Sequence, residues 1–117
     1  MTTLFGITSC DTVKRARAWL DEHGVAYHFH DFKKDGVPEA ELDRWLRAPG
    51  WEALVNRRGT TWRRLDEATR SSVVDDVSAR AVLLANPSLI KRPVVDWGAR
   101  AGVTTGFDAA QWKSLAV

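Results

Sequence analysis

The sequence predicts an α/β fold: a four-stranded mixed sheet interrupted by a helical insertion. Three observations carry that expectation. Residues 3–31 switch from a strand-like to a helix-like hydrophobic pattern and back. The middle of the chain reads as helix throughout. The last quarter holds two short apolar runs joined by a glycine turn, then one more helical stretch. In order, the pattern is βαβ, helices, ββα. At 117 residues the chain is sized for one hydrophobic core, so a single domain over 1–117 is expected, with residues 38–86 forming the insertion.

Thr3-Leu-Phe-Gly-Ile7 is apolar without helical spacing, as suits a central strand buried on both faces. From Thr12, the residues Val13, Ala16, Trp19 and Leu20 fall on one helical stripe, and Lys14, Arg15, Arg17 and Asp21 are expected to face away. His23-Gly24 supplies the stop, with His23 a favourable partner for the negative end of the helix dipole. Residues 25–31 then alternate, Val25, Tyr27 and Phe29 against Ala26, His28 and His30, which predicts a half-exposed strand. A crossover of this kind makes the first two strands parallel neighbours.

Lys34-Asp-Gly36 is expected to turn, Pro38 to open a helix carrying Leu42, Trp45 and Leu46, and Pro49-Gly50 to close it. Residues 51–55 read as a further turn or two of helix, and 57–64 as a polar loop entering a short one. Residues 72–85 carry Val73, Val74, Val77, Ala81 and Leu84 at helical spacing, ended by Asn86-Pro87. Val94-Val-Asp-Trp97 and Val103-Thr-Thr105, joined by a turn from Gly98 to Gly102, predict a hairpin. Asp108 then caps a last helix through Ala109, Trp112 and Leu115.

Composition narrows the function. No apolar run approaches the roughly 20 residues that span a bilayer, and Met1-Thr-Thr-Leu lacks the basic start of a secretory leader, so a cytoplasmic protein with no membrane partner is expected. A single cysteine forms no internal disulfide, and a free thiol suits a reducing compartment. Net charge is only +2, although twelve of the seventeen basic residues are arginine. Arg57, Arg58, Trp62, Arg63 and Arg64 interleave base and aromatic, but the patch is short and nucleic acid is not expected. His28 and His30 share a strand face with no third ligand in view, so both are read as surface residues and no metal is expected.

Cys10 stands where the first strand gives way to the first helix. Ser9 or Cys10 itself is the N-cap, which puts the sulfur beside unpaired amides and the positive end of the helix dipole. Both favour a thiolate, and such settings commonly lower a thiol from its ordinary value near 8.5 by a unit or more. Asp11 would oppose ionisation if it pointed inward, so it is expected to face solvent or cap the helix.

Four segments in order, Cys10-Asp-Thr-Val-Lys-Arg-Ala, His30-Asp-Phe-Lys-Lys-Asp-Gly36, Leu54-Val-Asn-Arg-Arg-Gly-Thr-Thr-Trp62 and Asn86-Pro-Ser-Leu-Ile-Lys-Arg-Pro-Val94, together resemble the arsenate reductase (ArsC) family, most closely its short Spx/YffB branch. The resemblance implies a thioredoxin-like fold with an inserted helical subdomain. It also implies a catalytic Cys10 thiolate working with arginines and an external thiol. It places Arg92-Pro93 beside that cysteine, with Pro93 cis, Arg92 catalytic and an anion anchor, and Ser9 and Pro93 in the substrate or glutathione site. Arg57 or Arg58 would add a second anion contact; Asn56 stands where the reductases carry their arginine. The further arginine they carry after the last strand is missing from Thr104-Thr-Gly-Phe-Asp108, which disfavours arsenate relative to a glutathionyl group or small disulfide.

The resulting expectation is a monomeric glutathione-linked thiol oxidoreductase with no tightly bound cofactor, glutathione or another small thiol as co-substrate, and glutaredoxin as a partner in one branch. Val13 occupies the position where many thioredoxin-like proteins hold a second thiol, so the mixed disulfide is resolved from outside. Arsenate reduction is the enzymatic alternative. An Spx-like adaptor binding RNA polymerase without catalysis is the alternative from another class, and a scaffold without surviving activity is a third.

Overall fold

A computed structural model describes residues 2–99 and 101–116. Four short strands, β1 (Thr2–Gly6), β2 (Tyr27–Asp31), β3 (Val94–Asp96) and β4 (Val103–Thr105), pair in the order β2-β1-β3-β4. β1 runs parallel to β2 and antiparallel to β3, and β3 and β4 form the antiparallel hairpin. The interior place of β1 explains its continuous apolar character: Leu4, Phe5 and Gly6 are all buried. Arg100, inside the expected 98–102 turn, lies outside the described residues.

By its internal contacts the chain divides into two compact units. One comprises the residues up to Gly36 together with those from Arg92 onward; the other is Val37–Lys91. In the first, α1 (Asp11–Glu22) buries Val13, Ala16 and Leu20 in a cluster with Leu4, Val95, Trp97 and Trp112. Each fully buried Leu or Val of this kind contributes roughly 1.5–3 kcal/mol. Trp112 is fully buried, with Trp97, Phe107 and Trp19 edge-on to its ring at 5.0, 4.8 and 5.7 Å.

The end of α1 is a Schellman motif. Gly24 takes φ +66°, its N–H bonds the Asp21 carbonyl at 3.2 Å, and the Val25 N–H reaches back to Leu20 at 2.9 Å. His23 stacks on Trp19 and its Nδ1 meets the Trp19 carbonyl at 2.8 Å. Arg17 departs from the expectation that it faces away: it is half-buried, its guanidinium lies 4.1 Å from the Phe29 ring centre, and Nε donates to the Tyr27 hydroxyl at 3.0 Å. A long arginine stem gains more by lying over aromatic side chains of β2 than by extending into water.

The segment expected to turn at Lys34 is instead a short helix, α2 (Phe32–Asp35), because Asp31 caps it by accepting the Lys33 N–H at 2.9 Å. His30 is not simply a surface residue either. It packs against Phe5 and Phe32 at 5.1 and 5.9 Å, and its Nε2 meets the Gly36 carbonyl at 2.8 Å, while His28 is exposed.

The second unit is built of α3 (Glu39–Trp45), a kinked π turn (Leu46–Gly50), α4 (Trp51–Leu54), α5 (Thr60–Arg64), α6 (Glu67–Ser72), α7 (Asp76–Ala85) and a 3-10 turn (Pro87–Leu89). Its far end is tied back by a bridge between Val55 and Ile90 and by bonds from Asn56 N–H to Leu89 and Lys91 N–H to Leu54 at 2.8 and 2.7 Å. The expected apolar face of residues 72–85 is corrected here. Val73 is buried from a loop, Val74 and Val77 are 67% and 74% exposed, and α7 turns Ala79, Val82 and Leu83 inward. Asp75 and Ser78 form a capping box that starts the helix later than the valine spacing suggests. In the last part of the chain, Asp108 caps α8 (Ala109–Leu115) by accepting from Ala110 and Gln111 at 3.0 and 3.2 Å.

Candidate active site

The chain leaves β1, turns through Ile7 to Ser9 and enters α1, and Cys10 is the N-cap residue. Its backbone is extended, with φ −79° and ψ 123°, and its carbonyl already accepts the Lys14 N–H at 3.0 Å. Cys10 is half-buried and closes no side-chain cap bond as a thiol. The position usually filled by Ser, Thr, Asp or Asn thus holds a sulfur that the first-turn amides can favour only by its becoming charged.

Opposing influences act on that sulfur. Partial burial pushes the thiol up. Against it work the Val13 N–H, a hydrogen bond from the Arg92 side chain, the Arg92 positive charge and the Thr12 N–H, and together they bring the thiol below its ordinary value. A lowered thiol is the more ionised one at neutral pH, and the thiolate is the nucleophile.

Arg92 is half-buried and immediately precedes β3. The Arg92–Pro93 peptide is cis, Pro93 is buried, and its carbonyl accepts the Gly106 N–H at 2.9 Å. Ser9 is exposed in the turn before Cys10, and Asp11 is exposed as the first residue of α1. Of the residues singled out in the sequence, the structure therefore brings together Cys10 and Arg92, with Ser9 and Pro93 as their chain neighbours.

Arg57 and Arg58 belong to the second unit, and both are exposed. The Arg57 guanidinium lies over two indoles, 5.4 Å from the Trp51 ring centre and 5.7 Å from that of Trp62. The Arg58 N–H donates to Asn56 Oδ1 at 3.1 Å, and its carbonyl accepts from Arg63 at 3.2 Å. Trp51 carries no sequence signal for this role, since residues 51–55 read only as a turn or two of helix. Among the described residues, no three His, Cys, Asp or Glu side chains gather as a metal would require, and no helix is long and apolar enough to cross a membrane.

A β2-β1-β3-β4 mixed sheet carrying an ionisable cysteine where its first strand hands over to a helix defines the class: a thioredoxin-like α/β protein. The chain matches the ArsC family over residues 5–115 and belongs to that family, on its Spx- and YffB-like side. The solved YFFB protein is 44% identical over 100% of both chains, with a TM-score of 0.92. An arsenate reductase (ArsC) related protein from Brucella melitensis is 48% identical over 97% of this chain and 92% of its own, with a TM-score of 0.74. The global transcriptional regulator Spx of Streptococcus agalactiae is 33% identical over 101 residues, 81% of this chain and 69% of the regulator.

Proposed function

We propose that this protein is a glutathione-linked thiol oxidoreductase with Cys10 as nucleophile and Arg92 as the group that steadies its thiolate and receives an anionic part of the substrate. The observation that carries this reading is the half-buried sulfur at the start of α1, acted on by the Arg92 side chain and by the Val13 and Thr12 amides.

The chemistry follows from one sulfur. The Cys10 thiolate attacks the glutathionyl sulfur of a mixed disulfide, the substrate S–S bond breaks, and the substrate thiolate leaves and takes a proton from solvent. Cys10 is now bonded to glutathione. The chain has no second cysteine, so a free glutathione thiolate attacks the bound glutathionyl sulfur, forms glutathione disulfide and returns Cys10 as thiolate. One substrate disulfide is reduced and two glutathione sulfurs end oxidised. A neutral disulfide suits a sulfur steadied by Arg92, because each charge-assisted hydrogen bond contributes roughly 1.5–3 kcal/mol and a doubly charged oxyanion needs several.

The test is mass spectrometry after incubation with oxidised glutathione, together with reduction of a glutathionylated peptide. Wild type is expected to gain one glutathionyl group and turn over, and Cys10→Ser to do neither. An ordinary thiol pKa and no adduct sink the reading; efficient arsenate turnover with glutathione and glutaredoxin replaces it with arsenate reduction. A second reading draws on the 33% identity to the Spx regulator: binding to RNA polymerase without catalysis. Recovery of polymerase on the Cys10→Ser protein as efficiently as on wild type, with no turnover by wild type, establishes it.

A further inference from the structure

Gly6 ends β1 and is buried. Glycine inside a strand weakens it and often marks a place where another part of the chain approaches closely. Conformation does not demand a glycine here, since Gly6 is absent from the residues with positive φ, and strand geometry suits any L-residue. Space does. A Cβ built on Gly6 would stand 2.8 Å from Val13 Cγ2, 3.2 Å from Cγ1 and 3.6 Å from Cβ.

Val13 has little freedom to yield. It is fully buried among Leu4, Ala16 and Leu20, and a β-branched side chain in a helix is largely confined to one χ1 rotamer. Leu4 and Gly6 share a face of β1, two residues apart, so Leu4 supplies the bulk against α1 and Gly6 the gap. To restore ordinary contact at 3.4 Å, the first turn of α1 would have to rise by about 0.6 Å. That turn carries Cys10 at its start and the Val13 N–H three residues on.

We propose that Gly6 is a positioning residue for Cys10: its missing Cβ lets Val13 seat against β1, and that seating holds the Val13 amide where it serves the sulfur. The inference rests on the proposed thiolate chemistry and adds a residue to it. Among the influences that lower the Cys10 thiol, the Val13 amide comes first, so a displaced first turn loses the largest favourable contribution. Gly6 acts through Val13 and touches no substrate.

The experiment is a double-mutant cycle read by Cys10 alkylation with iodoacetamide as a function of pH, which yields the thiol pKa without any turnover assay. In the Val13 background, Gly6→Ala is expected to raise the pKa and to slow alkylation, measured below the wild-type thiol pKa, by roughly three- to tenfold, tenfold there corresponding to one pKa unit. In the Val13→Ala background, where the clashing methyls are gone, Gly6→Ala is expected to change the rate less than about twofold, because the effect is a coupling between the pair. An unchanged pKa in Gly6→Ala overturns the proposal, and so does an equal change in both backgrounds. Should Gly6→Ala fail to fold alone, the pair decides: folding regained with the pKa of Val13→Ala supports it, whereas no folding, or folding with a raised pKa, overturns it. A wild-type pKa near the ordinary thiol value counts against the oxidoreductase reading itself, so the two failures are told apart.

Discussion

At the start of α7, Asp75 accepts the Ser78 N–H at 2.8 Å, and Ser78 Oγ accepts the Asp75 and Val74 N–H groups at 3.1 and 3.0 Å. At the start of α1 the corresponding residue is a cysteine that closes no side-chain cap bond. Both helices present the same unpaired amides. In α7 they are consumed by oxygen and fix where the helix begins, and the Ser78 hydroxyl, followed by the Ser78 N–H, holds the Asp75 carboxyl below the usual carboxylate range. In α1 they remain for a group whose charge changes. A helix start satisfied by oxygen is inert, and one left to sulfur stores a preference for the thiolate.

The largest expected effect in this contrast comes from removing the second stabiliser of that thiolate. Arg92→Gln should raise the Cys10 pKa and lower its alkylation rate, measured below the wild-type thiol pKa, by roughly tenfold, since an adjacent guanidinium commonly shifts an acid by a unit or more. Arg92→Lys keeps a positive charge but not the planar fork, and should fall between wild type and Gln. An unchanged rate in Arg92→Gln would leave the amides as sole cause of the lowered thiol.

Next in size is the reverse case. Asp75→Ala removes the cap of α7 and should lower the melting midpoint by about 4 °C, the scale of a lost helix cap in a chain of this size. The alkylation rate of Cys10 should not move. A fall in Cys10 reactivity with this variant would mean that the two helix starts are not independent.

How far the sequence shows this contrast depends on how local each determinant is. The boundary between β1 and α1 is written in adjacent residues: an apolar run without helical period, then Val13, Ala16 and Leu20 at helical spacing, so the position of Cys10 is legible. So is the end of α1, because His23-Gly24 is a local stop. The phase of α7 is not, since five apolar residues from Val73 to Leu84 fit a helical stripe equally well, and only packing selects Ala79, Val82 and Leu83. Arg92 reaches Cys10 across some eighty residues of sequence, and its pairing was legible only through the resemblance of whole motifs. Gly6 is not legible for the same reason, as the space it leaves belongs to a helix that follows it.

The smallest expected effect tests whether the sulfur cap exchanges stability for reactivity. In Cys10→Ser the hydroxyl can close the bond that the thiol does not, so at pH values below the folded thiol's pKa, where the sulfur is protonated, the variant should be more stable than wild type by about 0.5–1 kcal/mol in urea unfolding. The difference should shrink as pH rises. The folded Cys10 thiol is lowered, so above its pKa the folded protein has released a proton that the unfolded chain still holds, and wild-type stability climbs until the unfolded thiol ionises near 8.5. Above that value the whole contribution is present, and it is lost again as pH falls through the folded pKa. A Ser variant whose advantage stays constant from pH 5 to pH 9 would show that the amides at the start of α1 favour the sulfur no more in its charged form than in its neutral one.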